Sequence, residues 1–174
     1  ASAGGAGGSS RRSRSLTLRW CEVFSTAAYT VTRPPASSAW IELAEDGMLT
    51  LGVGCQDIGQ GAFTVAAQMA AAAFGVPDES VRLATPVDTR YSPYEGQTVA
   101  SRITWSTGNA IIAAAQDARR QVLDLVAKAW GETPEDLDIV NGVVVSFKSE
   151  KEIPVKNLAV AGLPNPDGKG WMGG

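Results

Sequence analysis

The chain has 174 residues, enough for one domain with a sizeable core, and its 44% apolar and 19% charged residues are ordinary globular values. Fifteen basic against 18 acidic side chains leave a net charge of −3, a poor balance for an electrostatic nucleic-acid binder. Histidine is absent and only Cys21 and Cys55 are cysteines, which excludes a Ser–His or Cys–His nucleophile pair, a histidine metal ligand, and an iron–sulfur cluster or four-cysteine zinc site held by this chain alone.

Two cysteines make no disulfide scaffold, so the expected setting is a reducing cytoplasm. No run of 18 apolar residues predicts a membrane span, and the N-terminus lacks the apolar core of a secretory signal. Residues 1–35 read as a flexible Gly/Ser/Arg-rich tail: Ala1 to Ser10 are all Gly, Ser and Ala, then come Arg11, Arg12, Arg14 and Arg19. Leu16 to Tyr29 support no assignment, and Pro34-Pro35 break any regular element. The ordered domain is expected over 36–155. Ser38–Ala44 alternates as a strand, Glu45-Asp46-Gly47 turns, and Met48–Val53 returns to complete a hairpin.

The glycine-rich stretch Gly52 to Gly61 follows, then a helix with Ala62, Val65, Ala66, Met69, Ala70, Ala73 and Phe74 at helical spacing. Gly75 and Pro77 end it. Ser80–Ala84 predicts a short strand, and Asp88–Ser101 a long loop. Thr104–Trp130 is the strongest helix, with one stripe of Ala110, Ile111, Ala114, Ala118, Val122, Leu125 and Ala129. Thr133 should cap a helical turn at Pro134–Leu137. Asp138–Val140, Asn141-Gly142 and Val143–Phe147 predict a second hairpin. From Lys156 the Gly/Pro-rich end reads as a loop or tail over 156–174. The expected fold is two-layer α+β, a mixed sheet with two main helices on one face in β-β-α-β-α-β order.

Two loops invite chemistry because each opens a helix, where backbone N–H groups face outward and the helix dipole favours negative charge. The first carries Gly59-Gln60-Gly61. It is neither a Walker A loop nor a dinucleotide fingerprint, and suits a phosphate or the edge of a polar ring. The second runs from Gly96 to Thr104, where Ser101, Thr104 and Ser106 could simply cap the helix. Asp57, Asp88 and Glu95 flank these loops; carboxylates there serve more often as turn formers than as acids or bases. Cys55 is a packed small side chain or, less readily, a thiolate. Trp40, Trp105 and Trp130 read as core or core-edge residues. No residue is assigned a catalytic role and none a metal.

At these loops the sequence resembles the molybdenum-binding large subunit of the xanthine dehydrogenase / aldehyde oxidase family. The likeness lies in Gln56-Asp57-Ile58-Gly59-Gln60-Gly61, Thr64, Gln68-Met69-Ala70, Phe74-Gly75-Val76-Pro77, Asp88-Thr89, Pro93, Ala100-Ser101-Arg102, Thr104 and Gly108-Asn109-Ala110, within about residues 36–146. It implies an α+β molybdopterin-binding domain, the cofactor in that family often taking its cytosine dinucleotide form. It further implies that Gly59, Gln60 and Gly61 contact the pterin and the molybdenum end, that Ala100, Ser101, Arg102 and Thr104 hold the pterin or its phosphates, and that Val99 and Ala100 lie beside the substrate pocket. The whole enzyme would hydroxylate an aldehyde or an N-heterocycle, with iron–sulfur clusters and FAD on partner chains. The family's C-terminal Gly-Glu motif with its catalytic glutamate and its Phe-Gly-Gly pterin loop have no counterpart here, so the chain is expected to be one piece of an enzyme, inactive when isolated. The alternatives are a stand-alone binding module descended from that domain, which would then form a homo-oligomer, and a generic phosphate or nucleotide binder.

Overall fold

The computed structural model of the protein describes residues 21–23, 37–44, 46–161, 163–164 and 171–172. Strands β2 (Ser37–Leu43) and β3 (Leu49–Val53) form the first hairpin. Strand β1 (Cys21–Val23) pairs antiparallel with β2, and β4 (Val81–Leu83) parallel with β3, giving a four-stranded mixed sheet in the order β1-β2-β3-β4. Register follows the period-two pattern. Ala39, Ile41 and Leu43 stand opposite Val53, Leu51 and Leu49, and all six are buried. On the other face Trp40 stands opposite Gly52 and lies so close over it that a Cβ there would meet the indole at 2.0 Å.

Helices α1 (Ala62–Phe74) and α2 (Gly108–Trp130) pack on each other, with α2 on β1 and β2 and α1 on β4. Their facing stripes are small: Ala66, Ala70 and Ala71 on α1, and Ala110, Ala114, Ala115 and Ala118 on α2, with Phe74 and Ile111 as bulkier fillers. Small side chains let the helices approach closely, which keeps their N-terminal ends together. Gly75 (φ +98°) and Gly131 (φ +69°) terminate the helices in the left-handed region, donating to Ala71 O and Ala127 O.

A second sheet follows. Strands β5 (Leu137–Val140), β6 (Val143–Ser146) and β7 (Glu152–Pro154) are antiparallel, turning at Asn141 and Gly142, both at positive φ. Helix α3 (Val155–Ala161) and the short pair β8 (Leu163–Pro164) and β9 (Trp171–Met172) complete the described elements.

The architecture is α+β, but the strands divide into separate sheets instead of joining one mixed sheet. The expected tail is corrected at both ends: Cys21–Val23 is an edge strand, and the expected loop from Lys156 begins as helix, with Val155 buried and Leu158 packed on the core. The remainder of 1–35 lies outside the described residues. Thr133 does not cap its turn; its hydroxyl donates to the Asp136 carboxylate at 2.9 Å. Trp105, expected in the core or at its edge, is 59% exposed.

Candidate functional site

The glycine loop leaves β3 and enters α1 through Gly59 (φ +104°) and Gly61 (φ +78°). A Cβ on either would meet nothing within 4 Å, so these glycines serve backbone shape and leave open space. Inside the loop, Asp57 accepts from the N–H groups of Gly59 (2.8 Å) and Phe63 (2.9 Å). The N–H groups of Phe63, Gly59 and Gly61 hold its carboxyl below the usual carboxylate range. The start of α1 thus already faces a negative charge. Gln60 folds back on the loop: its Oε1 accepts from Ile58 N (2.7 Å) and its Nε2 donates to Gln56 O (3.0 Å), both at the surface.

The second loop has a less expected shape. Ala100 (φ +47°) and Ser101 (φ +59°) are consecutive left-handed residues with side chains, a conformation costing about 1–2 kcal/mol each. The chain then enters a π-helical turn, Ile103–Thr107, before α2 begins. Such turns leave carbonyls misaligned; here Gly108 N donates to Ile103 O and Trp105 O, and Asn109 Nδ2 donates to Trp105 O at 2.7 Å. No side chain caps this helix: Ser106, a cap candidate in the sequence, is fully buried.

What holds this segment is a buried polar cluster. The loop 88–95 runs back along β2, with Ser38 N donating to Tyr94 O, and brings Glu95 beside Ser37. The Arg102 and Glu95 side chains, 10% and 5% exposed, form an ion pair. Glu95 Oε1 also accepts from Ser37 Oγ (2.9 Å) and Gly96 N (3.0 Å), and its Oε2 accepts from Thr107 Oγ1 (2.5 Å). Arg102 donates further to Ser37 Oγ (3.1 Å), which lies 2.9 Å from Ser106 Oγ. Removing one partner of such a pair costs about 3–5 kcal/mol, because the other is left buried and charged.

The two loops converge. A cavity of about 260 Å³ opens between the starts of the helices, lined by Gln60 and Gly61 from the first loop and by Thr98, Ser101, Thr104 and Thr107 from the second. Val65, Met69 and Ile111 supply apolar wall, and Cys55 reaches it from the end of β3. None of the described lining residues is charged. The Cys55 thiol is 2% exposed; burial, then the Glu95 charge, push its pKa up to about 11, so it is a protonated packing group and no thiolate.

Among the sequence candidates, Gln60, Gly61, Ser101 and Thr104 line the cavity, and Gly59, the residue before Gln60, does not. Val99 and Ala100 are exposed beside Thr98 and Ser101. Arg102 does not line the cavity; its N–H donates to Val99 O and its guanidinium pairs with Glu95. Asp88 is the turn former expected of it, accepting from Arg90 N. Sequence reasoning passed over Ser37, Thr98 and Thr107, and read Glu95 as a turn former. Only the opposite charges of Glu95 and Arg102, seven residues apart across a glycine, hinted at their pairing.

A family model for the molybdopterin cofactor-binding domain matches residues 9–169. The chain belongs to this family. It is 28% identical over 138 residues to the putative xanthine dehydrogenase molybdenum-binding subunit XdhA of Escherichia coli K12, a match covering 78% of this chain and 18% of that protein. It is 26% identical over 125 residues to the nicotine 6-hydroxylase large subunit of Paenarthrobacter nicotinovorans, covering 71% and 15%. Among solved structures it is similar to CO dehydrogenase from Oligotropha carboxidovorans (TM-score 0.66, 26% identity, 79% and 17% covered) and to quinoline 2-oxidoreductase from Pseudomonas putida 86 (TM-score 0.64, 25% identity, 74% and 16% covered). The domain thus spans less than a fifth of the length of the relatives it matches. Among its described residues no helix is long and apolar enough to cross a membrane.

Proposed function

We propose that the cavity between the two helix starts receives the pterin end of a molybdenum cofactor, within a molybdenum hydroxylase whose other walls come from further segments or subunits. The observation that carries this reading is the convergence of Gln60, Gly61, Ser101 and Thr104 on one uncharged, largely apolar cavity. A pterin edge presents several neutral donors and acceptors, which the hydroxyls of Thr98, Ser101 and Thr104 and the Gln60 carboxamide can meet. An uncharged lining suits that neutral ring edge. The volume falls a little below the about 300–1,000 Å³ of complete ligand pockets, which suits part of a larger cofactor.

In this reading Gln60 orients the ring edge, and the bare backbone at Gly59 and Gly61 permits close approach toward the molybdenum end. Ser101 and Thr104 hold the pterin, and the N–H groups at the start of α2 meet any phosphate that follows, including that of a cytosine dinucleotide form. Arg102 contributes through the loop it anchors, and Val99 and Ala100 border the substrate. When bound, the cofactor would supply the insertion of a water-derived oxygen at an aldehyde or N-heterocyclic carbon, with FAD and iron–sulfur clusters on cytoplasmic partner chains carrying the electrons away. The protein purified from its own host, studied by native mass spectrometry with molybdenum and pterin analysis, is expected as a heavy complex carrying both. An assembled complex free of molybdenum and pterin would refute the reading.

A further inference from the structure

We propose that Glu95 and Arg102 are positioning residues: their buried pair closes the segment Gly96–Ser101 into a ring and holds it in the shape that lines the cavity. The inference rests on the cavity being the pterin site. Neither residue lines the cavity, yet Thr98 and Ser101, which do, lie between them in sequence. Ala100 and Ser101 adopt left-handed backbone that side chains disfavour, so their shape persists only where the surroundings impose it.

Four residues impose it through one carboxylate. Glu95 gathers Ser37 from β2, Gly96 from the loop itself, Arg102 at the entry to the helix and Thr107 from the π turn. The Arg102 guanidinium also lies flat on Gly96: a Cβ there would stand 2.9 Å from Cζ and from both terminal nitrogens. The two ends of the ring are thereby fixed by charge, by hydrogen bonds and by packing. Thr107 belongs to both systems, since its hydroxyl bonds Glu95 and the residue lines the cavity. A loosened pair would therefore reach the cavity wall through Thr107 as well as through the loop.

The test compares the full chain as wild type, Glu95→Gln, Arg102→Lys and Ser37→Ala, each alone and loaded with isolated molybdopterin. Amide hydrogen exchange is followed over residues 97–104, with β3 and the middle of α2 as internal reference, and pterin retention is measured by the fluorescence of its oxidised form. Glu95→Gln is expected to speed exchange over 97–104 at least tenfold relative to the reference, and to cut retention at least tenfold. Arg102→Lys, which keeps the charge and loses the fork, should fall between it and wild type. Ser37→Ala leaves the ion pair in place and remains informative if Glu95→Gln fails to fold; about a threefold change in both readouts is expected.

Unchanged exchange over 97–104, or faster exchange of loop and reference alike, would overturn the proposal, because either describes a pair that only stabilises the fold. A loosened loop with undiminished retention would overturn its functional half. If wild type retains no pterin, the reading of the cavity fails, and exchange alone still decides whether the pair holds the loop.

Discussion

Gly61 and Gly75 separate the conformational role of a glycine from its packing role. Both adopt left-handed backbone, φ +78° and +98°, so alanine at either costs about 1 kcal/mol on that account. At Gly61 nothing lies within 4 Å of the added Cβ. At Gly75 the Cβ would stand 2.4 Å from the carbonyl oxygen of Ile139, and that carbonyl belongs to β5 and cannot withdraw without moving the strand. Overpacking against a fixed backbone adds about 1–3 kcal/mol. Gly61→Ala is therefore expected to lower unfolding stability by about 1 kcal/mol and Gly75→Ala by about 2–4 kcal/mol, measured by urea unfolding under circular dichroism. Pterin retention should run the other way. The methyl group of Gly61→Ala stands at the cavity and should cut retention tenfold or more, whereas Gly75→Ala should keep normal retention per folded molecule. Equal stability losses would refute the packing argument. Wild-type retention by Gly61→Ala would refute the placement of the cofactor.

Gln60→Ala loses two surface hydrogen bonds within the loop, so it should cost at most about 1 kcal/mol and still lower pterin retention severalfold; a loss above about 2 kcal/mol would mean that Gln60 is structural. Cys55 titrates at about 11 when folded against 9.0 unfolded, so the stability it supports is complete below pH 9 and is lost as pH rises toward 11. The difference between wild type and Cys55→Ala, followed by urea unfolding across that range, should shrink by about 2–3 kcal/mol. Glu95→Gln removes a charge that raises this thiol and should lower its pKa, read from the NMR shift of the Cys55 Cβ. Asp57 has the opposite sign: its carboxyl is held below 3.8, so its support of the α1 start is present above that pH and fades as the pH falls through the folded value. Exchange at Gly59 and Phe63 should rise there first, and Asp57→Asn should show the same loosening at neutral pH.

The parts of the fold set by local rules were legible. Alternation marked β2 and β3, helical spacing marked α1 and α2, and Asn141-Gly142 named a turn needing two positive φ angles. The partition into sheets was not, because pairing is decided by long-range contacts: Val81–Leu83 joins β3 in parallel, while Leu137–Val140 pairs with β6 in a sheet of its own. The short β1 carries no pattern, and α3 opens at Val155, ahead of the glycines and prolines that made the following stretch read as loop. At the site, glycines announced the first loop. The second concealed its shape, since alanine and serine are residues that composition assigns to ordinary backbone, yet Ala100 and Ser101 turn left-handed. Their conformation comes from Glu95, Arg102 and Ser37, the last 58 residues before Glu95 in sequence and beside it in the fold.

Two helix starts close together suggest an anion site, and the charges present argue for a division of labour instead. Asp57 already answers the N–H groups at the start of α1, so a second anion there would meet a carboxylate. The start of α2 is different. Arg102 N and Trp105 N donate within the segment, to Val99 O and Ser101 O, and Glu95 spends its charge on Arg102. The first-turn donors at Ile103 and Thr104, both lining the cavity, are where helix geometry leaves backbone N–H groups without an intrahelical acceptor. In the proposed reading this asymmetry would orient the ligand, its neutral ring edge toward Gln60 and Gly61 and its negatively charged extension toward Thr104. Moving a carboxylate onto the α2 side by Thr104→Asp should therefore weaken retention of the full cofactor more than that of a dephosphorylated pterin. Equal weakening of the two would place the phosphates elsewhere.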